Sequence, residues 1–437
     1  MQTGDQSTRG HARGLLILCA VAVMAGALAG LVGTAFRQCL ILVDRFRIDS
    51  VSWLHQWPGV GWLVPMITAG IAVALARWLV VVVPTAGGSG IQRVEASVRS
   101  QVSPETSKVI PVKFVGGLLA IGSGLALGRE GPTVQMAAAI GSKFSRALKM
   151  DRDDQNVVQA SLAGAGLGVA FNAPLAGAIF VVEELTRSVR TRLLLATLLA
   201  TTSAATVMRV LIGNAADFAT PVLPGSSSWG LLPYLVFGAL VGLLGAWYNR
   251  LVLRAMTVFD QLDRIPLVLR AGIVGAAVGL LGWFLPAVVG GGDNLTAELL
   301  VGALPMLTVA GILALRWFLG PVSYSVGAPG GLFAPLLLVG AASGTLFGGA
   351  VHAVAASWAP DPRTYTLVGM AVFFTAVVRS PITGVVLVTE MTATTTQLLP
   401  MMVACATAVA ATTLVGSEPI YDTLRHRMLA RDGALPD

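Results

Sequence analysis

The segment PLAGAIFVVE at 174–183 returns as PITGVVLVTE at 381–390, with Pro, Gly, Val and Glu matched at one offset of 207 residues. GREGP at 128–132 aligns with GLFAP at 331–335, and GGS at 87–89 with GGG at 290–292, both at an offset of 203. Three motifs in one order at nearly one spacing mark two copies of one design, so any fold must place two equivalent halves. The stretch 213–228 is rich in Pro, Gly, Ser and Ala and reads as the linker. The expected organisation is one domain over 1–437, with a first repeat over about 14–212 and a second over about 229–430.

The repeats sit in apolar sequence. Hydrophobic residues make up 55% of the chain, charged residues 12%, and the mean hydropathy is +0.77. That is about half the charge a soluble domain carries on average. The stretches 15–36, 62–83, 193–212, 231–247, 267–289 and 299–319 approach or exceed the roughly 20 residues that cross a bilayer as a helix. An all-α polytopic membrane protein is predicted. The first stretch is too long for a cleaved signal, and apolar segments recur to the end, so it reads as a retained helix. The net charge of +7 then reflects the bias of cytoplasmic loops towards Lys and Arg, not a nucleic-acid partner. Arg9 and Arg13 precede the first span and Arg425, Arg427 and Arg431 follow the last, which places both termini in the cytoplasm of a multi-pass protein, with a bacterial inner (plasma) membrane expected. Cys19, Cys39 and Cys405 are scattered and form no metal or disulfide pattern, and no cofactor is signalled.

Repeated halves whose apolar segments are interrupted by Gly and Pro at corresponding positions point to a transporter site at the repeat interface. A helix broken inside a membrane leaves unpaired N–H groups at its start, and these carry partial positive charge. Such backbone is tolerated only where it is buried in protein or lines a cavity. Several of these termini converging make an anion site without a buried cation. Glu130 stands at such a start. An ionisable group in an apolar segment is costly and marks function.

GSGI at 88–91, GREGP at 128–132, GLFAP at 331–335 and Tyr421 resemble, in order and separation, the signature set of the CLC chloride channels and chloride/proton antiporters. The likeness runs from about Leu15 to Arg427. It implies two inverted-topology repeats of tilted and re-entrant helices, a homodimer with one anion path per subunit, and transport of chloride coupled to protons rather than enzyme activity. By this resemblance Glu130 is the external gate and proton acceptor. Its carboxylate competes with chloride for the same donors, and leaves them when protonated. Ser89 and Tyr421 supply hydroxyls to a central chloride, together with backbone in Gly331, Leu332, Phe333 and Ala334. Backbone of Arg129 and Gly131 serves an outer site. Glu184 matches the internal proton acceptor of the exchangers, which the channels lack, and Glu183 an acidic position beside inner water access. Phe333 replaces the gate in the second half.

Glu95 and Lys113 are expected to pair, since either alone would be a costly buried charge. Two departures from the family pattern stand out. Gln92 occupies the place of a usual Pro after GSGI, where proline pre-organises a helix start but binds nothing. The chain ends at Asp437 soon after Tyr421, so the nucleotide-binding regulatory domains of many relatives are not expected. Ser89 resembles the chloride-preferring members. Two other readings remain open from sequence: a passive anion channel of the same fold, and a rhomboid-like serine protease suggested by GGSG at 87–90, which needs a histidine base near Ser89.

Overall fold

The computed structural model describes residues 2–57, 59–221, 223–225, 229–355, 360–431 and 433, with side chains from residue 14 onward. Every regular element among them is helical. The first eight helices are α1 (Gln2–Leu54), α2 (Leu63–Val82), α3 (Ile91–Val98), α4 (Val109–Gly122), α5 (Glu130–Ala147), α6 (Arg152–Phe171), α7 (Pro174–Phe180) and α8 (Thr191–Ile212). After the linker come α9 (Leu232–Asp260), α10 (Leu267–Phe284), α11 (Asp293–Val301), α12 (Met306–Ser325), α13 (Phe333–Ala355), α14 (Pro362–Val378), α15 (Pro381–Thr392), α16 (Leu398–Leu414) and α17 (Ile420–Arg431). Seven of the described helices are long and apolar enough to span a membrane.

The helix order of α1–α8 recurs in α9–α16, with the direction reversed. Val64 and Pro65 of α2 line a cavity with Gly279 and Gly282 of α10. The other end of α2, from Arg77 to Val81, meets Leu267 of α10 at a second cavity, so the pair runs antiparallel. The end of α1 at Asp44 and Arg47 lies on the first of these faces, and the end of α9 at Asp260 on the second. Short α3 and α11 each begin on a glycine in the left-handed region, Gly90 (φ 86°) and Gly292 (φ 102°).

Small residues close the long helix pairs. Gly26 and Gly30 of α1 lie against the carbonyls of Ala200 and Ala204 of α8. Gly238 and Gly242 of α9 meet those of Ala404 and Ala408 of α16 in the same way. Lipid gives no hydrophobic drive for helices to associate, so close backbone packing of this kind supplies it. The matching glycine pairs are a fourth repeat signal that motif reading alone passes over.

The halves are also stapled by charge. Glu183, in the π-helical turn Val181–Leu185 that ends α7, accepts from the amides of Ile382 (3.0 Å) and Thr383 (2.7 Å) at the start of α15. Glu390 of α15 accepts from Leu175 (3.1 Å) and Ala176 (2.7 Å) at the start of α7. Each carboxylate satisfies two orphan donors of the other half. The sequence-predicted spans need two adjustments. The stretch 299–319 is broken at Gly302 (φ 72°), and a span over Phe333–Ala355 goes unnoticed because its first turn belongs to a motif.

Replacing Glu390 with Ala strips two amides at the start of α7 of a charged acceptor. The expected loss is about 1–2 kcal/mol of stability, read as a lower melting temperature in detergent. An unchanged melting temperature would show that the staple contributes nothing.

Candidate functional site

The two aligned motif glycines meet at the centre. Gly128 and Gly331 exchange both backbone bonds, N–H to carbonyl, at 2.8 and 2.7 Å. Gly88 ties into the opposite half likewise, donating to Gly327 (3.2 Å) and accepting from Gly330 (3.1 Å), while Gly290 donates to Gly124 at 2.7 Å. These bonds hold the loops, and the helix starts that follow them stay free. α5 begins at Glu130 and α13 at Phe333, so both N-termini open onto the same buried point.

Glu130 is fully buried there, and neither carboxyl oxygen closes a well-formed hydrogen bond. The donors facing it are its own amide and that of Ala334, placed for weaker contact. A Cβ on Gly128 would overlap the Glu130 carboxyl, and one on Gly331 would lie 2.9 Å from the amide of Gly131. Gly331 therefore requires glycine, since the atom it meets is backbone, whereas a side chain at Gly128 would displace the end of the Glu130 side chain. Beneath them, Gly131 packs on Ser89, so closely that a Cβ would stand 2.6 Å from the Ser89 carbonyl. Ser89 Oγ and the Tyr421 hydroxyl are both buried without a well-formed partner, and Tyr421 has Ser89, Tyr324, Glu130 and Glu184 as its polar neighbours. Buried polar groups are seldom left open, so a connected set of them marks a place for a ligand.

Phe333 fills the site's second-half wall. Its ring stands 5.8 Å from Tyr421, 4.7 Å from Phe374 and 5.9 Å from Phe180. Leu332 and Ala334 flank it, both buried. Outside Glu130 opens a cavity of about 340 Å³, whose charged lining includes Arg37, Arg47, Asp44 and Asp293. Arg129 is pinned at its wall: Nε donates to the Ala170 carbonyl (2.8 Å), and the guanidinium reaches Asp293 (3.1 Å) and Asp217 (3.2 Å). Asp217 also takes Arg37 at 2.7 Å. It comes from the linker, which motif reading treats as a spacer, and only the fold brings it to the cavity.

On the opposite side, Glu184 is buried and its Oε2 accepts from the hydroxyl of Ser380, the residue before α15, at 2.8 Å, while Oε1 has no partner. Its charged neighbours are Glu95, Arg187 and Asp422. The adjacent Glu183 turns instead towards the α15 amides. The expected pairing of Glu95 with Lys113 does not occur. Glu95 meets Arg99 (2.7 Å) and Arg425 (3.4 Å), and Lys113 donates to the carbonyls of Gly88 (2.6 Å) and Ser89 (3.1 Å). Sequence reading missed this because α17 returns Arg425 from the far end of the chain. Lys113 thus steadies the Ser89 loop by its carbonyls, that of Ser89 lying against Gly131 in the first turn of α5. Among the described side chains the protease reading finds no base: Ser89 is buried, whereas His55, His352 and His426 are exposed, and the side chain of His11 lies outside those described.

The profile of the family described as "Voltage gated chloride channel" matches residues 72–413. The chain belongs to this family, the CLC proteins. Among the CLC relatives, the H(+)/Cl(-) exchange transporter ClcA of Vibrio cholerae is 38% identical over 429 residues, covering 94% of this chain and 89% of the relative. ClcA of Klebsiella pneumoniae is 35% identical over 430 residues, covering 96% and 90%. The crystal structure of a slow cyanobacterial Cl-/H+ antiporter superposes with a TM-score of 0.90 at 30% identity, covering 95% of this chain and 99% of that one. The relatives matched are transporters, and the CLC fold is accordingly that of a multi-pass membrane protein.

Gly331→Ala is expected to force apart the bridge to Gly128 and cost about 1–3 kcal/mol, seen as a lower melting temperature. Gly311→Ala, at a lipid-facing position where a Cβ meets nothing within 4 Å, should leave it unchanged. Equal melting temperatures for the two would remove the steric argument.

Proposed function

We propose that this protein exchanges chloride for protons across the membrane, with Glu130 as external gate and proton acceptor and Glu184 as internal proton acceptor. The observation that carries the reading is a buried, unpartnered carboxylate at the meeting of two helix N-termini, directly over Ser89 and Tyr421. The physics gives the cycle its logic. A carboxylate there takes the positive helix ends that an anion would use. Protonation removes its charge and its claim on those donors, and chloride then occupies them. Outer chloride is held by backbone from Arg129 to Gly131. Central chloride is held by Ser89, Tyr421 and the amides of Leu332 and Phe333, within the stretch from Gly331 to Ala334. Hydroxyl and amide donors bind an anion without the tight hold of a buried cation. Glu183 we assign to capping α15, with inner water reaching Glu184 beside it.

Proton and anion routes then share the outer half and part below Tyr421. Glu184 lies off the chloride line, near Glu95 and Asp422, in a mixed cluster of carboxylates and arginines that a proton can reach and an anion has no reason to enter. The passive-channel reading gives this second buried carboxyl no task, and the ClcA relatives are exchangers.

The same reading takes residues 14–212 and 229–430 as the two repeats, joined by 213–228, in an inner membrane with both termini cytoplasmic. It also takes the working unit as a homodimer. Half-buried Glu183 and Glu390 lie beside exposed Leu175 and Ile382, and a second copy covers such carboxylates better than lipid does.

In liposomes holding a chloride gradient, the protein should drive protons uphill. Glu130→Gln should abolish proton movement and leave chloride flux, and Glu184→Gln should uncouple similarly. Chloride flux at constant internal pH in the unaltered protein would refute exchange. Normal coupling in either variant would remove that residue's role.

A further inference from the structure

A second cavity, of about 530 Å³, lies at the opposite end of α2 from the outer one. Arg77, Arg93, Arg427 and Arg431 line it, with Asp260 as the one carboxylate in its wall. Asp260 answers both Arg427 (2.7 Å) and Arg431. Arg93 is matched by Glu105 at 3.5 Å. Arg77 donates to the Gly327 carbonyl at 3.2 Å, and its Nε has no partner. Its charged neighbours are Asp260, Arg431 and Arg270, so the guanidiniums here outnumber their carboxylate. The Tyr324 hydroxyl, on a side chain 3% exposed, also lines the cavity without a well-formed partner, beside the Ser89 backbone and the Gln92 side chain. The four guanidiniums outnumber the side-chain acceptors of the wall, Asp260 and the Gln92 amide oxygen, the latter buried without a well-formed partner.

A cavity of this size with converging guanidiniums suits a tetrahedral oxyanion, whose oxygens accept from several forks at once. Its depth in the membrane selects the source. Trp78 (52% exposed), Val81 (51%) and Val82 (61%) flank Arg77 on the outer surface of α2, and Leu267 stands across the rim. An exposed tryptophan and apolar side chains beside a basic pocket mark the headgroup level of a bilayer. The same face carries α17 and the arginine-rich ends of the chain's helices, which is the cytoplasmic side by the positive-inside rule.

We infer that this cavity holds the phosphate headgroup of an anionic phospholipid, its acyl chains lying along α2 and α10. The site has a path to the transport machinery. Arg77 and the Gly88 amide share the Gly327 carbonyl, and Gly88 precedes Ser89. A headgroup that draws Arg77 away weakens the hold on the Ser89 loop, so bound lipid sets the rate at which that loop moves.

Native mass spectrometry of the full chain, purified and mixed with equal phosphatidylglycerol and phosphatidylcholine, tests the inference. One phosphatidylglycerol should be retained per subunit in preference to phosphatidylcholine. Arg77→Gln and Arg431→Gln should each weaken that preference by about fivefold, on the scale of one arginine at a charged membrane surface. Arg264→Gln, an exposed arginine outside the cavity, should not. Arg431 is exposed on α17, so its variant carries the test should Arg77→Gln fail to fold. Equal retention of both lipids, or no change in Arg431→Gln, would overturn the proposal. A further arm adds inorganic phosphate alone; phosphate bound at this site without any lipid preference would overturn the lipid assignment.

Discussion

Everything in this fold follows from one constraint: a backbone N–H inside a membrane must find a partner in the protein or face a ligand. The chain breaks its helices at GSG, GREGP and GLFAP, and by doing so creates more free amides than its loops consume. The loops satisfy themselves across the two halves, Gly128 with Gly331 and Gly88 with Gly327 and Gly330. The starts of α5 and α13 do not. They leave a pair of positive helix ends that the protein fills with a carboxylate of its own, Glu130, held too loosely to be a permanent partner.

The same constraint explains the stapling of the halves. α7 and α15 also begin inside the protein, but their first amides are capped by Glu390 and Glu183, each from the opposite repeat. Two related helix pairs therefore meet the same electrostatic need in opposite ways. One is closed by a fixed acceptor and acts as framework. The other meets a carboxyl that closes no well-formed bond, as the proposed site requires. The difference between them lies in geometry: Glu183 and Glu390 each gain two good amide bonds, and Glu130 gains none.

Much of this was legible in the sequence. The repeat offsets located the broken helices, and the charge in GREGP located the buried carboxyl at the start of α5, because both signals are local. What the sequence concealed depends on distant parts of the chain arriving together. Glu183 reads as one of two acidic neighbours, yet the π-helical turn sends it to α15 and leaves Glu184 against Ser380. Lys113 and Glu95 looked like partners since both are buried charges of opposite sign. The fold gives Glu95 to Arg425, 330 positions away, and Lys113 to two carbonyls. Asp217 had no signal at all in a linker of small residues. The Gly26/Gly30 and Gly238/Gly242 pairs were visible but unmotivated until their alanine partners were in place.

The second half has the same helix start and no carboxyl, since Phe333 sits where Glu130 would be and is walled by Tyr421, Phe180 and Phe374. The central claim is that the Glu130 carboxylate occupies an anion site. Crystals soaked in bromide would report this by anomalous scattering, comparing the unaltered protein with Glu130→Gln. One additional bromide between the starts of α5 and α13 is predicted in the variant, at the place the carboxylate vacates. The same number of ions in the same positions in both proteins would contradict the account.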